Sequence, residues 1–236
     1  MTEKKPVPKN PLKLLGLDSD DIFEDGGFGV VFARAGVGKT SFLVQLGLTA
    51  MLNEKKALHI SLKDPVAKVN LWYKEVFRNA MSSYVESADQ TLFETIQSRR
   101  FIMTFKAEEF GGAKLEGRIA ELADQNIFSP DVILIDGMSF DGDVTELLSG
   151  LKDLARQQAV PVWFTMQTHR SEKDGKDDAL VPFSELSDLF DVAVQLYPED
   201  KNIHVKCLKG GGANTQSHVL LDPATMLIQG EENSAS

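Results

Sequence analysis

A single cysteine, Cys207, leaves this 236-residue chain unable to form an internal disulfide. No run approaches the roughly 20 consecutive apolar residues that a membrane-spanning helix needs. The opening stretch MTEKKPVPKNPLK lacks the apolar core of a secretory signal. A cytoplasmic protein is the expectation these absences leave. Positive charge is scarce as well: the formal net charge is −10, and the longest basic clusters are the pairs Lys4–Lys5 and Arg99–Arg100. That balance argues against a surface that tracks nucleic-acid phosphates over its whole face. No internal repeat is present.

The length suits one sizeable domain. Hydrophobic and charged contents of 42% and 25% are those of a globular chain able to bury a core. Residues 1–13, interrupted by Pro6, Pro8 and Pro11, read as a flexible arm. Residues 229–236 read as a polar tail, leaving 14–228 as the domain.

Within the domain, strand and helix patterns alternate, the signature of a parallel α/β sheet. Phe28–Ala33 is a short, uniformly apolar strand. From Lys39 the period becomes helical, with Phe42, Leu43 and Leu46 on an inward face. Further strands are expected at Ala57–Leu62, 101–105, Asp131–Ile135 and Val162–Met166. Further helices are expected after Pro65 and over 86–98, 113–125 and 143–158. The C-terminal stretches VAVQLY, NIHVKCL and SHVLLD have the spacing of hairpins. The expected fold class is α/β, with a mainly parallel sheet and a short antiparallel C-terminal edge.

Between the first strand and first long helix lies Ala33-Arg34-Ala35-Gly36-Val37-Gly38-Lys39-Thr40. It fits the phosphate-binding P-loop pattern, with Ala33 in place of the usual first glycine. Gly36 and Gly38 let the backbone curl until successive amides face inward, and the helix start adds its positive pole. Lys39 can reach the outer phosphates, and the Thr40 hydroxyl can ligate Mg²⁺. The candidate nucleotide-binding set is therefore Arg34, Ala35, Gly36, Val37, Gly38, Lys39, Thr40 and Ser41. Asp136 ends the apolar run Val132–Ile135, where a second strand would deliver a carboxylate to the same sheet edge. Thr40 and Asp136 are the candidate metal ligands, and ATP or ADP with Mg²⁺ the expected ligands.

On IFEDGGFGVVFARAGVGKTS, HISL, DVILIDG and WFTMQTHR, the chain resembles the RecA-like ATPases, in particular their KaiC and DnaB-helicase branch. The resemblance runs from about residue 14 to about 228 and implies a three-layer RecA-like domain. It implies that Gln167, ending the strand after Asp136, senses the terminal phosphate and signals to a loop at His169–Pro182. It also implies assembly, as a homo-oligomer or with a partner protein. The family's strand after the P-loop helix ends in an acidic pair, the first member of which activates water. Here that pair is Lys63-Asp64, so a lysine stands where the base belongs and Asp64 is the remaining candidate catalytic carboxylate. The family's late K-x-R pair is matched by Lys206 alone, because Leu208 replaces the arginine. Strand alternation places the nearby Lys209 on the face opposite Lys206.

Three functions follow as expectations. The first is a regulatory or assembly ATPase that hydrolyses slowly or not at all. The second is a DNA-associated recombinase or helicase module, against which Arg170, Lys173 and Lys176 are outnumbered by Glu172, Asp174, Asp177 and Asp178. The third is a nucleotide-bound scaffold.

Overall fold

The computed structural model describes residues 10–17, 23, 26–81, 86–168, 182–211 and 219–230, with the backbone alone for 86–89. A sheet of nine strands runs in the order β3-β2-β4-β5-β1-β6-β7-β8-β9. Its central strands are β1 (Phe28–Ala33), β2 (Ala57–Ser61), β4 (Val132–Asp136) and β5 (Val162–Gln167). With β3 (Arg100–Thr104) and the start of β6 (Val192–Glu199) they form a parallel block. Strands β7 (Asn202–Lys209), β8 (Val219–Leu221) and β9 (Ile228–Gly230) continue it antiparallel.

Helices cover both faces, giving the three layers expected. On one face, α2 (Lys39–Leu52), α3 (Val66–Met81) and α4 (Glu86–Gln97) pack Phe42, Val44, Met51, Val69, Tyr73 and Ile96 against Val31, Leu134 and Trp163. On the other, α5 (Gly112–Asp124) and α6 (Thr145–Gln158) pack Leu115, Ile119, Leu148 and Leu151 against Val30, Ile133 and Phe164. β1 and β2 are buried along their whole length, which is why they read as continuous apolar runs rather than alternating ones. α2 is apolar almost all round because α3 covers the flank that the sheet does not. The two helices meet at Gly47, where a Cβ would sit 2.4 Å from the Tyr73 hydroxyl.

Tyr73 belongs to a buried polar cluster that ties α3 to the sheet. Its hydroxyl lies 3.1 Å from Nδ1 of His59, a fully buried residue of β2, and the Arg100 guanidinium lies 4.2 Å over its ring. Burial lowers the His59 pKa to about 4, so the imidazole is neutral at physiological pH.

Three boundaries differ from the sequence expectation. Residues 10–13, assigned to the arm, belong with α1 (Pro11–Leu14), which buries Leu12. Asn10 caps this turn by accepting from the Leu12 amide at 2.9 Å, and Pro11 occupies the first helical turn, where a missing amide costs nothing. The tail begins later than expected, because 229 and 230 pair with β8 in the additional strand β9. The third concerns β7, where register shifts at Ala193/Val194: Lys206 pairs with Gln195, Cys207 with Val194, and Lys209 with Ala193. The bulge absorbs Leu208 and restores phase, so Lys206 and Lys209 share one face instead of opposing each other. The Lys209 ammonium donates to the Ser187 carbonyl at 3.0 Å, whereas Lys206 is exposed.

Candidate functional site

Parallel strands whose crossovers lie on both faces leave a crevice at their carboxyl ends. Here the ends of β1, β4 and β5 converge on a cavity of about 270 Å³. Ala35, Gly36, Lys39 and Thr40 form one wall; Lys63, Asp64, Asp136 and Gly137 come from the segments that end β2 and β4.

The loop between β1 and α2 has the curl its glycines permit. Gly36 and Gly38 take φ of +78° and +108°, in the left-handed region. Gly38 is the N-cap of α2 and carries no side-chain cap, so the amides of the first turn are left for another acceptor. The Lys39 ammonium folds back onto the carbonyls of Ala33 (3.0 Å) and Arg34 (2.8 Å). Burial lowers its pKa to about 8; the Asp136 carboxylate opposes that shift and the nearby Lys63 ammonium adds to it. The Arg34 side chain is exposed, and Val37 is buried in the core.

Asp136 is the other fixed point. Its Oδ2 accepts from Thr40 Oγ1 at 2.8 Å and its Oδ1 from Thr165 Oγ1 at 2.6 Å. Thr165 Oγ1 in turn accepts from the Gly137 amide at 3.0 Å. The two candidate metal ligands are thus in direct contact. Thr165, 3% exposed in the middle of β5, clamps the carboxylate they share. Thr165 carries no motif signature; its only trace in the sequence is a hydroxyl inside the apolar run VWFTM. Thr165→Val would leave Asp136 Oδ1 and the Gly137 amide without this partner. It should lower the unfolding free energy by about 1–3 kcal/mol in a denaturant titration, with Thr165→Ser recovering most of the loss.

The remaining candidates are dispersed. Ser41 is fully buried and its hydroxyl donates to the Met226 carbonyl at 2.6 Å, so its side chain points away from the cavity, toward the β8–β9 turn. Gln45 grips the same turn, donating to Met226 O at 2.9 Å and accepting from the Ile228 amide at 2.9 Å. The Leu221 side chain closes over Gly38, where a Cβ would lie 2.4 Å from its Cδ2. The last hairpin therefore braces the first turn of α2. Asp64 lines the cavity, but its Oδ1 is paired with Lys68 Nζ at 2.8 Å. Gln167 ends β5 beside Ala33 and also lines the cavity. Of the loop expected at His169–Pro182, residues 169–181 lie outside the described residues.

The oxygen donors Thr40 and Asp136 suit a hard cation such as Mg²⁺, which is commonly completed by water and phosphate oxygens. Among the described residues, no three His, Cys, Asp or Glu side chains gather into a cage.

No family model matches the chain, and no curated protein matches it in sequence. Among solved structures, the ATPase domain of a DnaB-like helicase matches with a TM-score of 0.64 at 16% identity, over 89% of this chain and 86% of that one. The fold is RecA-like. In all, 432 solved chains match, so the RecA-like fold is shared too widely to specify an activity by itself.

Proposed function

We propose that this chain binds ATP with Mg²⁺ at the cradle of residues 34–41 and works as a KaiC-like regulatory or assembly ATPase domain. In this reading it acts in the cytoplasm, as a homo-oligomer or with a partner protein, and hydrolyses slowly or not at all. The observation that carries binding is the Thr40–Asp136 contact at 2.8 Å, which joins the phosphate loop to the strand carboxylate. Lys39 and the first-turn amides of α2 would hold phosphate, the Thr40 hydroxyl and Asp136 would hold the ion, and Gln167 would sense the terminal phosphate. The ion supplies charge neutralisation and positioning.

Slow turnover rests on the two carboxylates that line the cavity. Asp136 accepts from two hydroxyls in the manner of a metal anchor, and Asp64 is held by Lys68. Neither is placed as a free general base, and Lys63 cannot accept a proton while charged. Among the described residues, no helix is long and apolar enough to cross a membrane.

The test is ATP–Mg²⁺ titration of the full chain, with size and phosphate release followed in the same samples. Saturable binding with turnover below about 1 s⁻¹ is the expected result, against the roughly 1–10³ s⁻¹ of ordinary enzymes. Turnover within that ordinary range would remove the slow-switch reading, and an absence of binding would remove the whole proposal.

A further inference from the structure

We propose that Lys63 makes the cradle selective for a nucleoside triphosphate over the diphosphate. This inference rests on the reading that the cradle takes a nucleotide, and it deepens that reading by naming the ligand state.

The placement of Lys63 is built into the sheet edge. Ser61 pairs with Asp136 across β2 and β4, and the Leu62 amide donates to the Asp136 carbonyl at 3.0 Å. The next residue is therefore carried across the tip of β4. There the Lys63 stem lies over Gly137, where a Cβ would fall 2.9 Å from its Cγ and 3.2 Å from its Cβ and Cδ. Gly137 has φ +82°, so both its backbone conformation and its missing side chain make the trough in which the lysine lies. A side chain in that trough is positioned, although it is exposed.

The charges around the cavity do not cancel at Lys63. Lys68 is paired with Asp64 at 2.8 Å. Lys39 stands within the field of Asp136, and its own pKa is lowered in part by Lys63, so the two ammoniums feel one another across the cavity. Among the described residues no carboxylate forms a salt bridge with Lys63. An ammonium left without a counter-ion beside a phosphate loop repels its neighbour until an anion arrives, and the relief grows with the anion's charge.

The cavity runs from the P-loop at the end of β1 toward the tips of β4 and β2, with Lys39 in the first wall and Lys63 in the second. Phosphates common to di- and triphosphate belong to the loop and Lys39. The extra terminal phosphate of a triphosphate is the part that Lys63 serves. An acidic side chain at this position would repel that phosphate; the lysine attracts it.

The experiment measures affinity for ADP and for a non-hydrolysable ATP analogue, each with Mg²⁺, in the wild-type chain, Lys63→Ala and Lys63→Arg. Thermal melting of each ligand-free variant serves as the fold control. Lys63→Ala should lose about tenfold in affinity for the triphosphate, the scale of one charge-assisted hydrogen bond, and less than about twofold for ADP. Lys63→Arg, which keeps the charge, should recover most of the triphosphate preference. Equal losses for both nucleotides, or no loss for either, would overturn the proposal. A wild-type chain that binds neither nucleotide would instead overturn the nucleotide reading, and this inference with it.

Discussion

Lys39→Ala is expected to weaken ATP–Mg²⁺ binding by at least about 100-fold, equivalent to roughly 2.7 kcal/mol, without lowering the stability of the ligand-free chain. The two halves of this expectation have one cause. In the empty site the Lys39 ammonium is partly desolvated and faces the repulsion of Lys63, with two carbonyls and the field of Asp136 in return. Its pKa, lowered from 10.5 to about 8, says that the folded chain holds this proton less well than the unfolded chain does. At neutral pH the charge therefore works against folding, and truncating it relieves that cost. Phosphate would reverse the balance by giving the ammonium an anionic partner in a site already largely dry. Calorimetric titration reads the first half and thermal melting of the ligand-free variant reads the second. A variant that loses binding together with its melting transition would indicate general damage. A variant that still binds would place the nucleotide elsewhere. A variant that loses binding yet assembles as the wild type does would favour a scaffold over a switch.

Much of the site is legible in the sequence because its chemistry needs adjacent residues. A phosphate cradle requires consecutive amides, two glycines and the lysine-threonine pair in one short segment. The flanking strand and helix announce themselves through a buried apolar run and a change of period. Asp136 is legible for a similar reason, as a carboxylate at the end of an apolar strand in a chain already known to carry a P-loop. The residues that escape are those whose role exists only across the fold. Thr165 reaches Asp136 from a neighbouring strand, and Ser41 and Gln45 meet Met226 near the far end of the chain. No local period encodes such contacts.

Local chemistry was misleading in two places. The proline-rich opening resembles an extended arm throughout, yet Asn10-Pro11 is also a cap followed by a first-turn proline. The buried positions of Leu12, Leu15 and Leu17 decide in favour of packing. Alternation along NIHVKCLK separates Lys206 from Lys209 only if every residue takes its turn in the ladder. A single bulged residue cancels the separation, and bulges leave little mark on composition. Both errors concern the rim of the domain, where few tertiary contacts constrain the chain. The central strands, buried on both faces, matched within a residue or so.

Lys63→Glu bears on the proposed slowness of the site and should raise steady-state phosphate release by about tenfold or more. A well-placed general base contributes about 10²–10⁴-fold, and a carboxylate introduced without evolved support should recover only the lower part of that range. The placement favours the attempt. The side chain at 63 lies in the Gly137 trough and opens on the cavity, whereas Asp64, one methylene shorter than Glu, is turned to Lys68. A carboxylate at 63 would accept the proton that a water gives up on attacking a phosphate. It would also reverse the charge that the terminal phosphate meets, so affinity for triphosphate should fall while turnover rises. That opposite movement separates a recruited base from a general improvement of the site. Lys63→Gln is the control, removing the ammonium without supplying a base, and should change turnover by less than about twofold. Equal acceleration in both variants would show that the lysine merely held the product or substrate too tightly. No acceleration in Lys63→Glu would mean that position 63 is not the vacancy, and Asp64→Asn would then identify Asp64 as the group already at work if it abolished the residual rate.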